Sequence, residues 1–248
     1  MTTDYNPIAE QYQRAKQQPW REYLESFSLL ELIGDVTGLR VLDLACGEGF
    51  YTRLLRQRGA ARVLGVDLSA GMIDLARRHE AEHRLGVEYH VGDAREVPLD
   101  GECELVVAAY LLNYARTRAE LQQMYEAICR CLVPGGRFVT VNTNPALDFS
   151  TAPSYRRYGF ETALTGEHRE GAPLTWTFHL ADGPFSIENY ILDREVHEAA
   201  MRAAGLCDVR WIAPRVSPEG LATQPPGEWT NFLMAPPVTL LECRRARA

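Results

Sequence analysis

The 248-residue sequence predicts an α/β fold: a doubly wound, mostly parallel seven-stranded sheet with a small antiparallel cap inserted after the fifth strand. Three observations lead there. From Leu39 to about Phe138, short apolar runs alternate with longer amphipathic stretches, the rhythm of βαβ units whose right-handed crossovers stack helices on both faces of a parallel sheet. After Asn142 the runs stay short and are broken by Gly, Asp and Pro turns, which marks an antiparallel insertion. Past Leu192 a helix and two more strands return to the sheet.

In chain order, strands are expected near residues 40–45, 62–67, 87–91, 104–109 and 136–142, with helices near 50–59, 70–84 and 118–132. Ser69 suits the N-cap of the second helix, and Pro134-Gly135-Gly136 suits a tight turn into the fifth strand. Tyr158–Leu164, Leu174–Leu180 and Pro184–Leu192 read as the cap strands. Asp193 opens a helix over Arg194–Ala204 that Gly205 ends, and Leu206–Ala213 and Val238–Arg244 complete the sheet. Pro214–Pro237, rich in Pro and Gly, is expected to be a long loop, and loops of that length in a compact domain are usually functional or disordered.

A hydrophobic content of 46% over this length is enough for one substantial core, so a single domain with an elaborated cap is expected. The net charge of −7 argues against a surface that tracks phosphates, and nucleic acid is not the expected partner. The six cysteines contain no C-x-x-C pair and no zinc-like Cys/His spacing, so a reduced cytoplasmic chain without a metal is expected. No apolar run reaches membrane-spanning length.

The stretch Arg40-Val-Leu-Asp43-Leu-Ala45-Cys-Gly47-Glu-Gly49-Phe50 passes from a buried strand through small residues into a helix. Gly47 and Gly49 lack a Cβ and tolerate positive φ, so a ligand can approach the backbone beside the unpaired amides of the helix N-terminus. The downstream signals follow at matching distances: Val63-Leu-Gly-Val-Asp67, Val91-Gly-Asp93-Ala94, Leu105-Val-Val-Ala-Ala109 and Leu132-Val-Pro-Gly-Gly-Arg-Phe138. Together these resemble the class I S-adenosylmethionine (SAM)-dependent methyltransferases, whose sheet is Rossmann-like. A dinucleotide-dependent dehydrogenase is the nearest rival, but the G-x-G-x-x-G order is absent because Thr52 stands where its third glycine belongs.

The resemblance implies SAM as cofactor and divides the chain into an N-terminal helical lid (1–38), a SAM-binding core (39–142), a substrate cap (143–192) and a C-terminal helix and strands (193–248). The family's acidic-x-Gly-x-Gly-x-Gly theme becomes Asp43, Ala45, Gly47 and Gly49, with alanine for the first glycine. It implies that Asp43 engages the cofactor ammonium, that Asp67 accepts from the ribose hydroxyls, that Leu68 and Met72 lie along the adenine, and that Asp93 with Ala94 holds its edge. Ala109 ends the fourth strand beside the cofactor. Tyr5 and Tyr12 resemble the aromatic entry helix that closes over it, although their seven-residue spacing fits an ordinary packed helix face equally well.

Ligands of open parallel sheets sit outside the carboxyl ends of the strands, so acceptor contacts are expected from Tyr110, Asn113 and Tyr114 after the fourth strand and from Asn142 and Asn144 after the fifth. The N-P-P-Y-type tetrapeptide of relatives that methylate bases or glutamine amides is missing, which favours a free small molecule. In the cap, alternation puts Trp176 and Phe178 on one face and Thr175, Thr177 and His179 on the other, so one set can face a pocket. Trp176 is a candidate stacking residue and His179 the candidate base by position, with Tyr110 and Tyr114 as further candidates; a lone His on a strand is more often structural. The first motif, the Ala-Ala-Tyr-Leu-Leu-Asn-Tyr segment and the Asn-rich end of strand five are similar to the methyltransferases of toxoflavin-type azapteridine biosynthesis. That likeness implies N-methylation of a planar heterocycle in secondary metabolism. A SAM-binding protein without methyl transfer (a cyclase, a sensor or a partner subunit) is the alternative of a different class.

Overall fold

The computed structural model describes Tyr5 and residues 8–247. The parallel strands are β1 (Arg40–Leu44), β2 (Arg62–Asp67), β3 (Glu88–Val91), β4 (Cys103–Ala109) and β5 (Leu132–Thr143). The cap holds β6 (Phe160–Leu164), β7 (Ala172–Leu180) and β8 (Gly183–Ile191), and the chain closes with β9 (Leu206–Ile212) and β10 (Val238–Arg245). The large sheet runs β3-β2-β1-β4-β5-β10-β9, and β10 is antiparallel to both of its neighbours. Chain order therefore reverses between β1 and β4, whose carboxyl ends open a crevice. The cap is a separate antiparallel sheet, β6-β7-β8.

The helices are α1 (Ala9–Ala15), α2 (Phe27–Ile33), α3 (Phe50–Gln57), α4 (Ala70–His83), α5 (Arg118–Cys131) and α6 (Arg194–Ala203). A π-helical turn, Arg21–Ser26, runs straight into α2. Caps fix the helices beside the crevice. Ser69 Oγ accepts from Met72 N at 3.2 Å at the head of α4. Thr117 Oγ1 accepts from Glu120 N at 3.1 Å, while the Glu120 carboxylate reaches back to Arg116 N at 2.7 Å, a variant of the reciprocal cap.

The two larger apolar cores lie on either side of the sheet. One, with Leu42, Val106, Tyr125 and Phe138, packs α5 and α6 against it. The other joins the N-terminal helices, α3 and the cap through Trp20, Leu29, Leu55, Phe160, Trp176 and Phe178. The expected long loop Pro214–Pro237 contains two short helices instead, α7 (Pro218–Thr223) and α8 (Thr230–Met234). Tertiary anchors hold them: Trp229 stacks on Tyr158 with ring centroids 5.7 Å apart and donates Nε1–H to Gly220 O at 3.1 Å, and Phe232 is fully buried against Trp20 and Phe160. The first cap strand starts later than expected, because Arg156–Tyr158 form a 3₁₀ turn that ends at Gly159. Among the described residues no helix is long and apolar enough to cross a membrane.

Candidate active site

The carboxyl ends of β1, β2 and β4 open onto a cavity of about 540 Å³, within the range of small-ligand sites. Ala45, Gly47, Asp67, Leu68, Met72, Asp93, Ala94, Ala109, Tyr110 and Tyr114 line it, together with Tyr5 and Tyr12 from the N-terminal segment. The turn after β1 is built on positive φ: 54° at Ala45, 56° at Gly47 and 82° at Gly49. A Cβ on Gly47 would meet nothing within 4 Å, so open space faces this residue. Gly49 serves packing, because a Cβ there would stand 2.3 Å from Tyr89 Oη. Neither Gly49 nor Asp43 lines the cavity.

Asp67 ends β2 with one carboxylate oxygen accepting from Gly47 N and the other from Ser69 N, each at 2.8 Å. It thereby ties the β1 turn to the α4 cap. Burial raises its pKa, opposed by those two amides and by Lys16. Asp43 sits deeper, 1% exposed, and accepts from Thr52 Oγ1 at 2.6 Å. Burial pushes its pKa up to about 7 even with the Thr52 hydroxyl and Lys16 pulling the other way. Asp93 is ion-paired to Arg95 at 2.5 Å, which holds its carboxyl below the usual range.

Tyrosines form the remaining wall. The Tyr5 and Tyr12 rings meet edge to face at 5.2 Å, and the Tyr5 and Tyr114 hydroxyls are hydrogen-bonded. Tyr110 follows β4 with φ 65°, a conformation uncommon for a bulky residue. Its hydroxyl donates to Glu25, a carboxylate only 2% exposed that is ion-paired to Arg21 at 2.7 Å within the π-helical turn.

Five expected acceptor contacts, the expected base among them, lie outside the residues that line the cavity. Trp176 is 2% exposed and stacks on Phe160 at 5.2 Å in the shared core, away from the cavity lining. His179 lies on the opposite strand face, where Nε2 pairs with Glu161 at 2.8 Å. Asn142 Oδ1 accepts from Asn113 N at 3.2 Å, and Asn144 Nδ2 donates to Pro236 O at 2.9 Å, so both amides brace loops. Asn113 is itself buried, with no hydrogen-bond partner among the described residues for either side-chain polar atom, and is absent from the lining.

The sequence reading overlooked Lys16, Arg95, Arg116 and Glu120, all of which line the cavity. Lys16 carried a visible signal, because it is the only lysine in a chain whose other cations are arginines. Its ammonium lies 5.5, 5.8 and 5.4 Å from the Tyr12, Phe50 and Tyr51 ring centroids.

Comparison with known proteins follows this geometry. Residues 41–136 match the model of the family described as Methyltransferase domain. The demethylmenaquinone methyltransferase of Lactococcus lactis subsp. lactis is 31% identical over 132 residues, 52% of this chain and 50% of that protein, so the chain spans about half the length of this relative. The N-demethylindolmycin N-methyltransferase of Streptomyces griseus is 28% identical over 174 residues, covering 68% of this chain and 70% of that one. Among solved structures, the S-adenosylmethionine-dependent methyltransferase from Mesorhizobium loti superposes with a TM-score of 0.64 at 23% identity, over 93% of this chain and 100% of its own. The match to the methyltransferase-domain model falls on the strands and turns that build the cavity, and the fold is one that SAM-dependent methyltransferases of known structure share.

Proposed function

We propose that the chain is one domain, divided as the sequence suggests, that moves a methyl group from SAM to a nitrogen of a small planar heterocycle. The observation that carries the reading is the cavity at the strand-order switch, where Asp67, Asp93-Ala94 and the Gly47 turn meet a wall of tyrosines. These residues fit SAM: open space at Gly47 leaves room for the methionine portion, and Asp67 retains acceptor capacity for two ribose hydroxyls beyond its two amides. Leu68 and Met72 would flank the adenine, Asp93 with Ala94 its edge and Ala109 the strand end beneath the cofactor. Asp43 and Lys16 would set the field around the amino-acid end, and Tyr5 and Tyr12 would close over it.

SAM supplies an electrophilic methyl group, so the protein's task is to hold a nucleophile about 3 Å behind it and exclude water. With Trp176 committed to the core, Tyr12, Tyr110 and Tyr114 become the surfaces for a flat acceptor. Nitrogen is favoured by the Streptomyces griseus relative, named for N-methyl transfer, and by the azapteridine-type phrasing after β4. The same relative motivates a place in secondary metabolism, and six free cysteines fit the reducing cytoplasm.

The test is incubation with methyl-labelled SAM and a panel of N-, O- and S-nucleophiles, including N-demethylindolmycin and azapteridines, read by mass. Label on a heterocyclic nitrogen is expected. Label on oxygen or sulfur alone would refute the nitrogen assignment, and SAM binding with no labelled product would favour a cofactor-binding role without transfer.

A further inference from the structure

The buried pair Arg21–Glu25 has no place in cofactor binding, yet it is joined to the cavity through one residue. Arg21 is 3% exposed and Glu25 2%, and burying two charges is costly unless further hydrogen bonds complete the site. Here they do. Glu25 Oε2 accepts from Arg21 at 2.7 Å and from the Tyr110 hydroxyl, while Oε1 accepts from the Tyr51 hydroxyl at 2.9 Å. The guanidinium is packed among the rings of Tyr12, Trp20, Tyr110 and Phe178, with centroids 4.6 to 5.8 Å away. The charged groups around Glu25 are thus Arg21 on its own turn and Lys16 near Tyr51, and the other titratable neighbours are neutral phenols whose ionisation burial and Glu25 oppose.

A carboxylate balanced by Arg21 accepts hydrogen bonds and donates none. The phenol protons of Tyr51 and Tyr110 both point at Glu25. The Tyr110 oxygen receives no hydrogen bond from the described residues, and Tyr110 lines the cavity in a positive-φ conformation that only surrounding structure can hold.

We infer that Arg21 and Glu25 are positioning residues that make Tyr110 a hydrogen-bond acceptor toward the cavity, so that the site selects methyl acceptors presenting an N–H. This rests on the methyltransferase reading and narrows its substrate class from nitrogen heterocycles in general to those with a donor N–H. A heterocycle whose ring nitrogens are all alkylated or lone-pair only would place two acceptors face to face, leaving the Tyr110 oxygen unmatched.

The test uses pyrazole and 1-methylpyrazole, neutral flat probes that differ in a single N–H, titrated by ligand-observed NMR into the full chain saturated with S-adenosylhomocysteine. Wild type is expected to prefer pyrazole by about five- to tenfold, the worth of one ordinary hydrogen bond. Tyr110→Phe leaves the Arg21–Glu25 pair whole and is expected to abolish the preference. Glu25→Gln frees the Tyr110 proton to turn toward the cavity, and the preference is expected to vanish or reverse in favour of 1-methylpyrazole. Equal binding by wild type, no saturable pyrazole binding, or a preference that survives in Tyr110→Phe would overturn the inference. Should Glu25→Gln fail to fold, Tyr110→Phe decides alone. Failure of S-adenosylhomocysteine itself to bind would instead refute the SAM reading, so the two failures are distinct.

Discussion

At the scale of single residues, carboxylates with similar sequence signals do different work. Asp67 was legible because it ends a strand 20 residues after Gly47, and the structure adds that its two oxygens hold that turn and the α4 cap. Asp67→Ala is expected to weaken S-adenosylhomocysteine binding by about 2 kcal/mol, some thirtyfold, and calorimetry on the folded variant checks it. Asp43 was legible as a motif position but not as a buried acid, since burial depends on what the fold places around it. With its pKa raised to about 7, the folded protein binds a proton there that the unfolded chain releases near pH 4, so stability falls as pH rises from about 4 to 7. Asp43→Asn keeps an acceptor for Thr52 and removes this dependence. Its stability relative to wild type should rise across that window by at most about 4 kcal/mol, the value of some three pKa units, measured by urea unfolding at pH 4.5 and pH 8. An unchanged difference between the two pH values would show that Asp43 is ionised throughout.

At the scale of elements, the sheet and its crossovers followed from apolar runs and spacing because the central strands β1 and β4 are buried on both faces and read as near-continuous apolar runs. The segments α7 and α8 were missed for the opposite reason. Helices of six and five residues have no periodicity to read and exist because Ser217 caps one and Trp229 and Phe232 anchor the other to the cap. In the cap strand β7, alternation correctly separated Trp176 from His179 but could not say which face met a cavity, and neither does. Trp176 bridges Phe149, Phe160 and Phe178. Trp176→Ala should therefore cost about 3–5 kcal/mol of stability through the cavity it leaves, with the affinity of the remaining folded protein for S-adenosylhomocysteine unchanged. Denaturant titration and calorimetry together check this, and a wild-type unfolding midpoint would contradict the core assignment.

At the scale of the whole molecule, the N-terminal segment joins α4 to the cap. Gln13 Nε2 contacts His79 Nε2 on α4 at 2.9 Å, Arg14 pairs with Asp182 at the β7–β8 turn, and Gln18 Nε2 donates to Gly159 O at 2.7 Å beside β6. The exposed Arg14 pair contributes little by itself. The decisive contacts are Tyr5 and Tyr12, which wall the cavity and would bury any ligand beneath them. If a ligand binds only with the segment seated, it stabilises the seated state by RT ln(1 + [L]/Kd), so the open population falls about a hundredfold at a hundred times Kd. Arg14 and Lys16 are trypsin sites on this segment, and cleavage there reports the open population when reclosing is fast. S-adenosylhomocysteine is accordingly expected to slow cleavage at these sites, tracked by mass, with a concentration dependence matching its calorimetric Kd. Tyr114→Phe, which alters the bond to Tyr5 while retaining the ring, should shrink the protection without abolishing it. Equal cleavage with and without the ligand would mean that the segment is a fixed part of the wall, and that the cavity admits its ligands by another route.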